Sequence, residues 1–384
     1  MWVEIALWAW TGIALLWWTL SIIVVSRKPR PPLFNKDGES APDFLSIFKP
    51  LPRMEDRANL EMTAQALLSF VRQLAAGSEL LIGVHSGEES KWQPFFEQWR
   101  TEMPEADWKV IVPEDDRATE CFPNRKISWQ HVLAPHSRGN LWLWSDADIT
   151  APPGYVREAL KEYQLAGAGL LTHSYVVRRV QSGPDLLNAL FVNVEIYPGV
   201  RLMGAKGEIR FGLGAGLLFS RKDFEEKIAW KEVGSFLADD FYLGTHLPPV
   251  HLGSAILETF SGSARLRDSI LHYLRWQKTI RWCNPLGFGS QIVILPMAGW
   301  LIMTLLSPFS SMAWTGLILT ALAETVWVAI LFRFTGCRPH PRFYALVPAW
   351  SVFRVLAFAA CWFPWPVMWR SQAWWGPVRH KHPG

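Results

Sequence analysis

Asp146 and Asp148 stand one residue apart in SDADI, Ser145 to Ile149, directly after the apolar run LWLW at 141–144. Such a run reads as a buried strand and puts both carboxylates at its carboxyl end. Hard oxygen donors in that position can hold Mg²⁺ or Mn²⁺ while leaving coordination positions open for diphosphate oxygens. The same residues also suit a polar loop in which Asp148 caps the helix after Pro152-Pro153. A second acidic pair, Asp239-Asp240 in LADDFYLG, opens an apparent helix, where carboxylates also stabilise the positive end of the helix dipole. Between the pairs lies FGLGAGLLFSR, 211–221, whose glycines, Gly214 and Gly216 among them, allow close backbone approach to a ligand or mark a bulged strand. Downstream, 263–282 alternates Leu266, Ile270, Tyr273, Leu274 and Ile280 with Arg265, Arg267, Arg275, Lys278 and Arg281. With Trp276 and Trp282 this reads as a basic amphipathic helix in the headgroup region, or else as a surface helix packed on a domain. The planar fork of Arg275 can bridge diphosphate oxygens.

These residues need a scaffold, and the pattern upstream supplies one. FLSIF at 44–48, a helical spacing through Leu60, Ala64, Leu67, Leu68 and Val71, LLIGV at 80–84, a helix through Trp92 and Phe96, WKVIV at 108–112 and LWLWS at 141–145 succeed one another. Short strand-helix-strand cycles predict an α/β domain with a mostly parallel sheet, in which ligands bind beyond the carboxyl ends of the strands.

The charge is unevenly spread. Residues 286–384 carry seven Lys or Arg and one acid, Glu324, so the formal net charge of +4 belongs to the C-terminal third. A near-neutral body with a basic, apolar tail speaks against nucleic acid as a partner and for a membrane face. The four cysteines lie far apart, without metal-ligand or disulfide-framework spacing, as in a reducing compartment. Ile5 to Val25 is an uncharged run long enough, at about 1.5 Å per residue, to cross a bilayer core of about 30 Å. Glu4 before it and SRKPRPP after it are unlike a signal peptide, and Arg27, Lys28 and Arg30 place the α/β domain in the cytoplasm. Leu286 to Ala323 is uncharged and too long for one crossing, and SPFSS at 307–311 breaks it, predicting a hairpin of helices at about 288–306 and 312–332. Arg333, Arg338 and Arg342 mark the cytoplasmic side again. The last apolar stretch, Phe343 to Met368, contains Arg354 and three prolines. A full crossing leaves the basic tail outside, against the charge rule, whereas a re-entrant or interfacial segment keeps it inside. The expected division is an anchor over 1–25, a linker over 26–43, a cytoplasmic domain over 44–262, an interfacial helix over 263–285, a membrane region over 286–368 and a basic tail over 369–384.

In this order the parts resemble the ceramide glucosyltransferase family, whose relatives include bacterial hopanoid-pathway glycosyltransferases. The likeness is carried by SIFKPL (Ser46–Leu51), FPNRKIS (Phe122–Ser128), SDADI, LLNALFVNVEIYP (Leu186–Pro198), the ADD signature and RWQKTIR (Arg275–Arg281). It implies a GT-A nucleotide-sugar domain on the cytoplasmic face of a multi-pass membrane protein, in a bacterial cytoplasmic membrane. The domain would use a UDP-sugar and a lipid hydroxyl held at the bilayer surface. By the family pattern Asp146 and Asp148 serve a Mg²⁺ or Mn²⁺ ion and the diphosphate, and Asp240 is the base of an inverting displacement. Asp239 caps the helix or holds the loop, and Arg275 with Trp276 closes over donor and acceptor. Two positions depart from the pattern: Ser86 stands where the family has its first Asp, with Glu88 and Glu89 just beyond, and His272 replaces the Gln or Arg ahead of Arg275-Trp276. Glucose on ceramide is the leading substrate pair, with a hopanoid or glycerolipid acceptor next. The departures keep open a second class, a non-catalytic membrane protein that binds a nucleotide-sugar or lipid, and a transfer assay in detergent separates the two.

Overall fold

In the computed structural model, LWLW forms a strand buried on both faces, and the sheet grows around it. The structure describes residues 2–27, 29, 44–54, 56–205, 207, 209–260, 265–369 and 372–379. Most of the expected linker over 26–43, including Lys28 and Arg30, and part of the basic tail lie outside the described residues. The strands of the main sheet are β1 (Leu45–Pro50), β2 (Ser78–Gly83), β3 (Trp108–Ile111), β4 (Leu141–Trp144), β5 (Ile149–Thr150), β6 (Leu170–Val177), β7 (Leu217–Ser220) and β8 (Val250–Thr259). They form one sheet in the order β3-β2-β1-β4-β7-β6-β8-β5. The first four pair in parallel, as the strand-helix cycles predict, and β7 joins β4 antiparallel. The order departs from β1 in both directions, to β2 on one side and β4 on the other, the kind of switch point beyond whose carboxyl ends open α/β sheets take their ligands. Around Phe48, Trp142, Trp144, Phe219, Phe224, Leu243 and Val250 the core is closely packed and heavily aromatic.

The chain divides into two bodies. This α/β body comprises 29–175, 206–262 and 377–384; the other comprises 1–28, 176–205 and 263–376. The α/β domain is thus not continuous over 44–262, because 176–205 belongs with the membrane helices. The reason lies in LLNALFVNVEIYP, which turns its polar groups inward too: Phe191, Val192, Asn193 and Val194 are all buried, in a π-helical stretch Phe191–Ile196 between the helices Gly183–Leu190 and Tyr197–Gly204, and Glu195 bonds Tyr273 and Gln277 of the membrane body.

Three helices of the membrane body are long and apolar enough to cross a bilayer: Trp2–Ser26, Ser311–Thr335 and Pro341–Ala360. Tryptophan joins the first two, with Trp18 stacked on Trp327 at 5.0 Å and the Trp327 Nε1 donating to Ser21 Oγ at 2.8 Å. The expected helix over 288–306 is instead a pair, Pro285–Ile294 and Pro296–Leu306, bent by 59°. Pro296 removes an N–H and keeps Leu295 out of helical geometry, which accounts for the break. Three ionisable groups of the apolar regions meet: Arg354 lies 2.5 Å from Glu324 and 3.3 Å from Glu195.

The helix Leu266–Cys283 buries a stripe of Ser269, Tyr273 and Gln277 and leaves Leu266 and Leu271 exposed among its cations. Tyr273 and Gln277 both bond Glu195. An exposed leucine-and-arginine surface suits a bilayer headgroup region. Lys278 differs from the sequence expectation: it is buried, and its Nζ donates to the carbonyls of Phe363 and Trp365 at 2.8 and 2.6 Å.

Candidate active site

Asp146 and Asp148 lie just past β4 at its carboxyl end, and Lys49 of β1 holds their turn in place. Lys49 is fully buried, and its Nζ donates to Ser145 Oγ at 3.0 Å, Asp146 O at 2.7 Å and Ile149 O at 3.1 Å. Burial pulls this lysine down to about 7, against the attraction of Asp148 and Asp146. Asp148 does not cap a helix. The helix Tyr155–Ala166 starts from Gly154 without a side-chain cap, and Asp148 Oδ2 accepts from Thr259 Oγ1 at 2.8 Å. Burial and the neighbouring Asp146 raise the Asp148 carboxyl above the usual range.

The two acidic pairs meet at Lys126, a residue that the acidic, glycine-rich and Arg-Trp motifs do not include. Its Nζ lies 2.8 Å from Asp146 Oδ1 and 3.3 Å from Asp239 Oδ2. Burial alone would lower its pKa, but Asp146, Asp239 and Asp240 together drive it above its ordinary value, so it is a permanent cation. Asn124 sets it there. Its Oδ1 caps the helix Arg125–Leu133 by accepting from the Lys126 and Ile127 amides, and its Nδ2 donates to Phe236 O at 2.9 Å and Asp239 Oδ1 at 3.3 Å. Asp239 is buried and holds the loop, making no cap of its own helix. Asp240, less buried, accepts from the Gly214 amide at 3.1 Å and from the Phe241 amide at 2.8 Å.

Of the two glycines singled out, Gly214 lines this cluster: a Cβ there would sit 2.9 Å from Lys126 Nζ and 3.0 Å from Asp146 Oδ2. Gly216 answers a packing need instead, since its Cβ would meet Tyr155 Oη at 2.7 Å and His173 Nδ1 at 3.3 Å. Both precede β7, so the glycine stretch is a loop and not a bulge within the strand.

At the carboxyl end of β2, Ser86 is exposed and its amide donates to Asp116 Oδ1 at 3.2 Å. Asp116 comes from the 3₁₀ turn Asp116–Glu120 and is also paired with Arg53. Glu88 is occupied elsewhere, binding the Met54 amide and Lys91. In the membrane body, Trp276 Nε1 donates to His272 Nε2 at 2.6 Å, a bond that requires that nitrogen to be unprotonated, and Arg275 lies 5.9 Å from the Trp276 ring centroid. Trp276 also packs edge-on against Phe191 at 5.5 Å.

Among the described residues no three His, Cys, Asp or Glu side chains converge to hold a metal. Asp146 and Asp148, hard oxygen donors one residue apart and both partly exposed beyond β4, nevertheless fit a divalent ion that completes its shell with diphosphate oxygens and water. Bound there, such an ion would neutralise the charge of the departing diphosphate.

Lys49 and Lys126 both lie within family motifs, SIFKPL and FPNRKIS. The available signal for Lys49 was a lone lysine among apolar strand residues, since buried lysines are nearly always paired.

A four-stranded parallel block with acidic pairs gathered beyond its carboxyl ends, on a chain with apolar spanning-length helices, defines a GT-A-like glycosyltransferase that uses a nucleotide-sugar. The chain belongs to glycosyl transferase family 21, the ceramide glucosyltransferase family, whose model matches residues 6–375. No curated protein sequence matches it. Among solved structures it is similar to a mannosyltransferase from Pyrobaculum calidifontis in complex with GDP-Man and Mn²⁺, at 14% identity over 93% of this chain and 97% of that one, with a TM-score of 0.49. It is also similar to glucosyl-3-phosphoglycerate synthase from Mycobacterium tuberculosis in complex with Mn²⁺, UDP and glucosyl-3-phosphoglycerate, at 14% identity over 66% and 88% of the two chains, with a TM-score of 0.38.

Proposed function

We propose that this protein transfers glucose from UDP-glucose to the hydroxyl of a membrane lipid, ceramide first, by an inverting displacement at the cytoplasmic face of the membrane. The observation that carries the reading is Lys126 joining Asp146 to Asp239, which sets Asp240 beside the metal-type carboxylates as a half-buried base. The chemistry then divides among the chain's own groups. Asp146 and Asp148 hold the diphosphate end of the donor with Mg²⁺ or Mn²⁺, and Asp240 takes the proton of the lipid hydroxyl. Arg275, Trp276 and His272 are assigned to donor and acceptor by family pattern. The membrane-length helices and the cationic, leucine-bearing surface of Leu266–Cys283 support a lipid as acceptor. Transfer from UDP-glucose to ceramide in detergent, with mass spectrometry of membrane lipids with and without the protein, tests this. Hexosylceramide is the expected product. A hexosylated hopanoid or glycerolipid would move the acceptor, and no glycolipid from any of them would overturn the reading.

The donor pocket carries a prediction at Ser86. Its amide already binds Asp116, so Ser86→Asp would set two carboxylates side by side, a repulsion of about 1 kcal/mol at 4 Å in water. That repulsion is present with and without donor, so it should lower the Tm of the variant, and a Kd for UDP within twofold of the parent's, read by titration calorimetry, would show that this position accepts an acid as its relatives do.

A further inference from the structure

The chain's last described segment is bound to the loop that delivers the acidic pair. Leu237 N donates to Pro377 O at 2.9 Å, Arg379 N donates to Ser235 O at 2.7 Å, and Phe236 and Val378 face each other as an antiparallel bridge. On its other side the same short loop is held by Asn124, whose amide donates to Gly234 O at 2.8 Å and whose Nδ2 donates to Phe236 O and Asp239 Oδ1. Phe236 also packs on Tyr242, one turn into the helix that Asp239 and Asp240 open, at 4.5 Å. Asp239 lies only three positions after Phe236, so whatever fixes 235–237 fixes the entry of that helix.

The geometry points to residues 377–379 as a strap that positions Asp240, closing the loop from the side opposite Asn124.

The proposal rests on Asp240 as the base, and its test is arranged to be read without that assignment. In the full-length protein Arg379→Pro deletes the N–H that binds Ser235, while the ring tolerates the extended backbone at Val378; Arg379→Ala keeps the N–H. For Arg379→Pro, kcat should fall at least tenfold with the KM for UDP-glucose within twofold. Amide exchange over 235–241 should speed up at least tenfold, both effects being measured relative to Arg379→Ala, which removes the side chain's own contacts and keeps the N–H. Equal exchange in the two variants, a kcat loss reproduced by Arg379→Ala, or a loss confined to KM would overturn the strap. Should Asp240→Asn retain turnover, the base assignment fails while the exchange comparison still decides the strap.

Discussion

Asp240→Asn is expected to lower kcat for lipid glycosylation by about 10²–10⁴, the usual worth of a positioned general base, with UDP-sugar affinity close to the parent's. The amide oxygen can keep the bond from Phe241 N but cannot accept a proton. The pH profile gives an independent reading. Burial and the adjacent Asp239 push Asp240 up to about 7, against Lys126 and the Phe241 amide, and Asp146 adds to the rise. A base works only when ionised, so kcat should level off above about 7 and fall tenfold per unit below it. A cation held by Asp146 and Asp148 would cancel part of the rise and move this limb to lower pH. Asp239→Asn should behave differently. Buried between Lys126 and Asn124, Asp239 contributes charged hydrogen bonds whose weakening costs stability, about 2 kcal/mol, and shows as a lower Tm. Near-normal turnover in Asp240→Asn, or an equal loss of donor binding, would remove Asp240 as the base.

Asp146→Ala is expected to weaken divalent-dependent UDP-sugar binding by about 100-fold or more, because Asp148 alone is a poor ligand set for Mg²⁺ or Mn²⁺. The same change releases Lys126 from its nearest carboxylate, at 2.8 Å, while Asp239 retains it, so the fold should survive. Titration of UDP-glucose into parent and variant, with Mn²⁺ and with chelator, separates the contributions. Chelator should bring the parent to the variant's affinity and change the variant little. Parent affinity in both conditions for Asp146→Ala would end the metal assignment.

The parts legible in the sequence were those written in local pattern. LWLW could only be a buried strand, so the DxD had to stand at its carboxyl end, and strand-helix cycles ahead of it implied the parallel block. Apolar runs of bilayer length gave the helices Trp2–Ser26 and Ser311–Thr335. Local pattern also misled where a local competitor intervened. Pro296 broke a helix that hydropathy alone made continuous, and LLNALFVNVEIYP, expected within the α/β domain, joined the membrane body, where Glu195 finds Tyr273, Gln277 and Arg354.

By itself, then, the sequence determined the class of sheet, the position of the acidic pairs at strand and helix ends and the membrane-length helices, since each depends on residues within one element. Tertiary structure alone decided that Lys126 joins Asp146 to Asp239, that Lys49 carries the DxD turn, that Arg354 pairs with Glu324 and Glu195, and that 377–379 binds 235–237. The physical reason is common to all four. Each joins groups far apart along the chain, and a charge or N–H selects its partner by the cost of being buried without one, a cost that periodicity and spacing do not record.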